Sequence, residues 1–267
     1  MKTGYHAIYA KDYFDGIDAA KNNGFDFVQF DLGVRKFFLN GLSDQELAGI
    51  REYAESNGIQ ITFHAPGDNV ALLCDYPIIK KGILDEFTLI LEKANKLNAR
   101  HVTFHAGNYS QFKKSGTKTD ESNLSYYEQV LYDNMAYLVN RSGGVLVCME
   151  NFQWSEVTRK AIKRLIDGGK ALYLTLDIPK LYKSKNMAEI INDDYNLFVQ
   201  YSGCIREMHI HDMNDEFGSH QAVGTGNIDF SLFQAFYSEK VYLNFEVRPV
   251  ESAKISKDNL FKIWRAK

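Results

Sequence analysis

The chain has 267 residues, 45% of them hydrophobic and 24% charged, with a formal net charge of -3. That is enough apolar material for a large buried core, and the slight acidic balance gives no pointer to nucleic acid as a partner. The three cysteines, Cys74, Cys148 and Cys204, form neither a CxxC pair nor an even set, which excludes a disulfide scaffold and suits a reducing compartment. No apolar stretch approaches the length of a membrane span, and Met-Lys-Thr-Gly-Tyr-His does not read as a signal peptide. A cytoplasmic location is the expectation.

In chain order, a first strand is expected over 3–9 and a helix over 12–23. A second strand, 26–32, precedes a helix that opens at Ser43 with Glu46 three residues on, as in a capping box, and stops at Asn57-Gly58. The third strand, 59–65, leads through Pro66 and Gly67 to a helix over 77–97. The fourth, 101–106, runs into a long polar loop, 108–120, that holds Lys113 and Lys114, and then a helix to about 141. The fifth strand ends at Glu150, before a helix over 155–167. Gly168-Gly169 separates that helix from a sixth strand, 171–178, and 188–200 reads as helical. A seventh strand covers 205–211. A glycine-containing loop, 218–226, then leads to a short helix over 231–238. The eighth strand is 241–247, and the last helix ends near Trp264.

An unbroken strand–helix series implies a parallel sheet, and eight units favour closure into a (β/α)8 TIM barrel, an α/β fold, with 1–267 as a single domain. No phosphate-binding GxGxxG follows the first strand, and Gly224-Thr225-Gly226 is too short and too late to serve as one.

The strand ends carry the chemistry. His64, His105, Glu150, Asp177 and Glu246 each close a short apolar run, and His209 sits in Ile-Arg-Glu-Met-His-Ile-His-Asp. Two residues before these ends stand Thr62, Thr103, Cys148, Thr175 and Asn244; on the opposite faces stand Phe63, Phe104, Met149, Leu176 and Phe245. Because side chains alternate along a strand, the small and polar set faces the barrel axis and the bulky set faces the helices. The six acids and imidazoles then converge at the C-terminal mouth. Any one of them alone could cap a strand or brace a loop. Together they need a partner, because buried unpaired carboxylates are costly, and a metal ion supplies one. Glu150, Asp177, His209 and Glu246 make a mixed O/N set suited to Mn²⁺, Mg²⁺, Co²⁺ or Zn²⁺, and His64 and His105 could add a second, nitrogen-richer position that leans towards zinc.

These pieces resemble the xylose-isomerase-like TIM-barrel superfamily, which holds sugar isomerases and epimerases, inosose dehydratases and endonuclease IV. The resemblance covers nearly the whole chain. It is carried by Phe-His-Ala-Pro at 63–66, Phe-His-Ala-Gly at 104–107, Met-Glu-Asn at 149–151 and Leu-Asp at 176–177. His-Ile-His-Asp at 209–212, His-Gln-Ala-Val-Gly-Thr-Gly at 220–226 and Phe-Glu-Val-Arg at 245–248 complete it. The epimerase branch implies one divalent metal on Glu150, Asp177, His209 and Glu246, with Glu150 and Glu246 as the acid/base pair. It implies a sugar, sugar phosphate or inosose isomerase or epimerase that works by metal-assisted proton transfer through an enediolate. The endonuclease IV branch implies three zincs. Its first two match through His64, His105, Glu150, Asp177, His209 and Glu246. Its third does not, because Lys180 and Gly218 stand where ligands belong and only His220 survives. Gly67 replaces the tyrosine that this branch uses on DNA. The alternative is therefore a zinc phosphodiesterase for abasic DNA with an incomplete third site.

The expected partner is a small-molecule sugar, with self-association left open. Lys180 and Arg248 are the candidate cations for a substrate phosphate, carboxylate or enediolate oxygen. His211 and His220 are candidates to orient substrate or fill a second metal position. Trp154 and Phe152 could wall a sugar face, and His6 is a weaker candidate at the first strand.

Overall fold

The computed structural model describes residues 1–67, 70–109, 121–182, 190–216 and 218–266. Eight parallel strands close into a barrel in the order β1-β10-β7-β6-β5-β4-β3-β2. They are β1 (Lys2–His6), β2 (Phe27–Asp31), β3 (Gln60–His64), β4 (His101–Phe104), β5 (Leu146–Glu150), β6 (Leu172–Asp177), β7 (Ile205–Ile210) and β10 (Tyr242–Phe245). Between them run α1 (Tyr13–Asn22), α2 (Asp44–Ser56), α3 (Pro77–Lys96), α4 (Glu121–Val139), α5 (Glu156–Asp167) and α6 (Asn192–Gln200), and α7 (Val250–Arg265) follows the last strand. Among the described residues no helix is long and apolar enough to cross a membrane.

Local signals set the element ends. Asp12 accepts from the Asp15 amide to open α1, and Ser43 and Glu46 form a reciprocal capping box at α2. Gly58 takes φ +70° just past α2, a left-handed conformation that glycine adopts without steric cost. Ser155 caps α5 together with Thr158, and α5 then buries Val157, Ala161, Ile162 and Leu165 on one face at helical spacing.

The alternation expected along the strands holds. Phe63, Phe104, Met149, Leu176 and Phe245 are fully buried and belong to the apolar layer between strands and helices. The barrel interior is polar. Thr103 Oγ1 lies 2.9 Å from Thr175 Oγ1 and donates to Glu207 Oε2 at 2.6 Å. Gln29 Nε2 donates to Glu207 Oε1 at 2.8 Å, and Asn244 Nδ2 donates to Gln29 Oε1 at 2.7 Å. Below this layer Phe27 plugs the barrel, and its ring lies so close to Gly4 that a Cβ there would come within 2.4 Å.

Three segments differ from the sequence expectation. The helix expected over 188–200 is shorter: Ile190 bridges to Tyr182, Ile191 is the cap, and α6 begins at Asn192. Residues 183–189 lie outside the described residues. The expected loop over 218–226 is half strand: β8 (Asp212–Asn214) and β9 (Gly218–Gln221) pair antiparallel over the barrel mouth. The short helix after it is a 3-10 helix, Phe230–Phe236.

Candidate metal centre

Every barrel strand carries an acid or an imidazole at or beside its end: His6, Asp31, His64, His105, Glu150, Asp177, His209 and Glu246, with His209 one residue before the end of its strand and His105 and Glu246 one residue past theirs. Strand register places neighbours side by side, with Asp31 opposite His64 and Asp177 opposite His209. Parallel strands with a common side-chain parity can place these groups only at one end of the barrel. The six groups read from sequence converge there, and His6 and Asp31 join them.

Hydrogen bonds fix which imidazole nitrogens can bind a cation. His64 Nδ1 lies 2.9 Å from the Ala65 carbonyl oxygen, so Nδ1 carries a proton and donates it. His64 Nε2 then faces Glu150 Oε2 at 3.0 Å. His209 Nε2 donates to Glu207 Oε2 at 3.1 Å, and its Nδ1 faces Glu150 Oε2 at 3.5 Å and Glu246 Oε1 at 3.3 Å without a hydrogen bond. In a neutral ring both inward nitrogens are lone pairs set against carboxylate oxygens, so each position requires a positive charge. A second proton or a metal ion satisfies it. Burial works against the proton, but the Glu150 hydrogen bond and charge outweigh it and push the His64 pKa up to about 9. Burial likewise opposes the charged His209 ring, but Glu246, Glu207 and Glu150 raise its pKa well above the imidazole range. For Glu150 itself, burial favours the neutral acid; His105, His209 and His64 overcome that and hold it well below the usual carboxylate range.

The donor set therefore fits a divalent cation. Glu150, Asp177 and His209 offer atoms within 4.8 Å of one another, and Glu246 joins them through His209. Like charge on Glu150 and Glu246 opposes their closer approach. His64, His105 and Glu150 form a second such cluster. His105 Nε2 reaches Glu150 Oε2 at 3.1 Å, and its ring stacks on Phe152 with centroids 4.3 Å apart. His211, His220 and Glu246 form a third cluster by distance, but the hydrogen bonds remove His211 from it. The His220 amide donates to His211 Nδ1 at 3.0 Å, so the neutral ring carries its proton on Nε2. That N–H points at Asp177 Oδ2, 3.5 Å away, and can donate to a carboxylate but not bind a metal.

Above these groups lies a cavity of about 570 Å³ lined by His6, Asp31, His64, His105, Glu150, Asp177, His220 and Glu246, by Lys180 and Arg248, and by Val34, Phe38, Val70 and Phe152. Lys180 Nζ sits 4.0 Å from Asp177 Oδ2, and its amide donates to Asp177 Oδ1. His220 takes φ +63° and donates from Nδ1 to the Glu246 carbonyl oxygen at 3.0 Å. Two expected substrate contacts are displaced. Of the two aromatic walls expected, Phe152 lines the cavity, whereas Trp154 is buried and stacks on Phe198 at 5.3 Å. His211 is fully buried behind Asp177 and Glu246. Lys113 and Lys114 lie outside the described residues.

A family model described as the xylose isomerase-like TIM barrel matches residues 17–257. The chain belongs to this family. Within the xylose isomerase-like barrels, a D-psicose 3-epimerase from Clostridium cellulolyticum H10, solved with D-tagatose, superimposes with a TM-score of 0.74 over 99% of each chain at 14% identity. The IolI protein, solved with a bound zinc atom, gives 0.73 over 100% of this chain and 99% of that one at 16% identity. At these identities the likeness is one of fold. In sequence, an uncharacterized protein of Methanocaldococcus jannaschii is 29% identical over 198 residues, which is 73% of this chain and 71% of that protein.

The sequence reading passed over Glu207 and His101. Glu207 is fully buried and sits two residues before His209, so it obeys the same alternation that revealed the strand-end residues. Its Oε1 lies 3.0 Å from His101 Nε2. Burial would raise its carboxyl, but His101 and His209 overcome that and hold it well below the carboxylate range.

Proposed function

We propose that this protein is a divalent-metal-dependent sugar isomerase or epimerase, working as a single domain over 1–267. The observation that carries the reading is the pair of buried carboxylates, Glu150 Oε2 and Glu246 Oε1, both facing the lone-pair nitrogen of His209 at the floor of a sugar-sized cavity. Glu150, Asp177, His209 and Glu246 would hold the metal. A bound divalent cation would supply Lewis-acid chemistry, acidifying a carbon next to a carbonyl. Glu150 and Glu246 come from β5 and the end of β10, which flank β6 and β7 in the barrel. One carboxylate takes the carbon-bound proton and the other returns one to the same carbon or its neighbour. Glu207 holds the His209 ring through Nε2, and Asn151 steadies Asp177 by accepting its amide at 2.7 Å. A D-psicose 3-epimerase shares this fold, which agrees with this reading.

The test is solvent deuterium exchange at the carbon next to the carbonyl, followed by NMR on manganese-loaded protein over a panel of ketoses and inososes. Glu150→Gln should lower the exchange rate by about 10²–10⁴-fold. Full exchange in that variant overturns the assignment.

One observation favours a second reading, a two-metal phosphodiesterase: the His64, His105, Glu150 cluster. Against it stand Lys180 and Gly218 in the places of third-metal ligands, and Gly67, where a Cβ would come within 2.4 Å of His105 Nδ1. Two zincs per chain with abasic-site cleavage and no carbon-bound exchange would select it.

A further inference from the structure

Arg248 lines the same cavity as the carboxylates, yet it makes no ion pair among the described residues. Its NH2 group donates to His6 Nδ1 at 3.2 Å, which is its one hydrogen bond to a described side chain. An imidazolium has no acceptor nitrogen, so the ring that receives this bond is neutral and leaves the guanidinium charge uncompensated. On its other side the His6 ring turns Nε2 to Asp31 Oδ2 at 3.6 Å. The Arg248 Nε–H is buried and has no partner. A buried donor on a permanent cation, left unsatisfied by the protein, loses free energy that a ligand acceptor recovers. The nearby carboxylates are committed elsewhere. Glu246 faces His209 and His6, Glu150 faces three imidazoles, and Asp31 accepts the Gly33 amide. Across the cavity Lys180 adds a second cation, though its Nζ has Asp177 4.0 Å away.

We propose that Arg248 is an anion-recognition residue, and that the sugar taken by this cavity carries a phosphate or carboxylate group that the guanidinium binds. The planar guanidinium presents Nε–H and a terminal N–H side by side, which matches the paired oxygens of either group. The metal-binding residues Glu150, Asp177, His209 and Glu246 lie beside it, so the anionic group orients the rest of the sugar over them. Calling the ligand a sugar rests on the isomerase reading; the anion preference does not.

Three ligands that differ only at the sixth carbon test this: D-fructose, D-fructose 6-phosphate and D-fructuronate, titrated by calorimetry into manganese-loaded protein. At least one anionic form should bind about tenfold or more tightly than D-fructose, and the arm that does so tells phosphate from carboxylate recognition. Arg248→Gln should bring that ligand to the affinity of D-fructose. Arg248→Lys, which keeps the charge but loses the fork, should retain part of the preference and serves if the glutamine variant does not fold. Equal binding of all three by the wild type, or a preference that survives intact in both variants, overturns the proposal. Deuterium exchange on the same ligands separates the two readings. An Arg248-dependent preference without exchange leaves the anion site standing and removes the isomerase. Exchange on D-fructose with no anion preference does the reverse.

Discussion

At the residue scale, the inward nitrogen of His209 owes its orientation to Glu207. The carboxylate fixes the ring's tautomer through Nε2, and His101, Gln29, Thr103 and Thr175 hold the carboxylate in turn. Such a carboxylate–histidine arrangement raises the ring's basicity and sets its direction towards a cation. Glu207→Gln keeps the volume and removes the charge, so divalent-metal affinity should fall by about 10–100-fold. Competition with a chromophoric chelator measures it, and an unchanged affinity would show that the interior carboxylate only fills space. The residues that proved legible in the sequence are those whose position follows from strand parity. Glu150, Asp177, His209 and Glu246 were found that way, and Glu207, Asp31 and His6 obey the same rule, with Phe-Val-Gln-Phe-Asp closing β2 as visibly as the later runs. Trp154 lies past a strand end, where backbone turns rather than parity decide direction; it stacks on Phe198, while Phe152, expected beside it, lines the cavity.

At the element scale, the β8–β9 hairpin is the part of the mouth that sequence periodicity did not reveal. Its four-residue strand shows no hydrophobic alternation, and its stability comes from a buried carboxylate instead. Asp212 accepts the amides of Met213 and Ile228 on Oδ1 and those of Gly224 and Gly226 on Oδ2. Gly226 has to be glycine, since a Cβ there would lie 2.3 Å from Asp212 Oδ1. The hairpin carries His220, whose amide sets the tautomer of His211 and thereby aims an N–H at Asp177. Asp212→Asn replaces one accepting oxygen with a donor and leaves two amides without a partner. The expected loss is about 2–4 kcal/mol of unfolding free energy by chemical denaturation. A loss within about 0.5 kcal/mol, the range of an ordinary surface change, would mean that the glycine loop holds itself. The regular units were read correctly because each announces itself locally, by Ser43 with Glu46 or by Gly58, whereas the hairpin depends on bonds between residues a dozen positions apart.

At the scale of the whole molecule, barrel closure brings acids and imidazoles from every strand into one buried cluster, and folding becomes linked to protons and, on the proposed function, to metal. The signs can be worked group by group. Glu150, Glu207 and Glu246 have lowered carboxyls, despite burial acting the other way. They contribute stability above their unfolded value of about 4.3, and it is lost as pH falls through their folded values. Burial pushes His6 down to about 4, so protonation of the unfolded chain below about pH 6.5 adds to the acid loss. His64 and His209 are raised by their carboxylate partners, and their contribution is complete below about pH 6.5. That contribution disappears as pH rises through the folded values, about 9 for His64. The metal-free protein is therefore most stable around pH 6.5. In the proposed centre a divalent cation would take the place of the His209 proton, so its binding should release a proton and strengthen as pH rises. Melting temperatures in chelator and in excess manganese or zinc, read at matched pH, should differ little at pH 5 and diverge steadily towards pH 9. The same stabilisation at every pH would show that the cation binds away from His209, and would remove it from the ligand set.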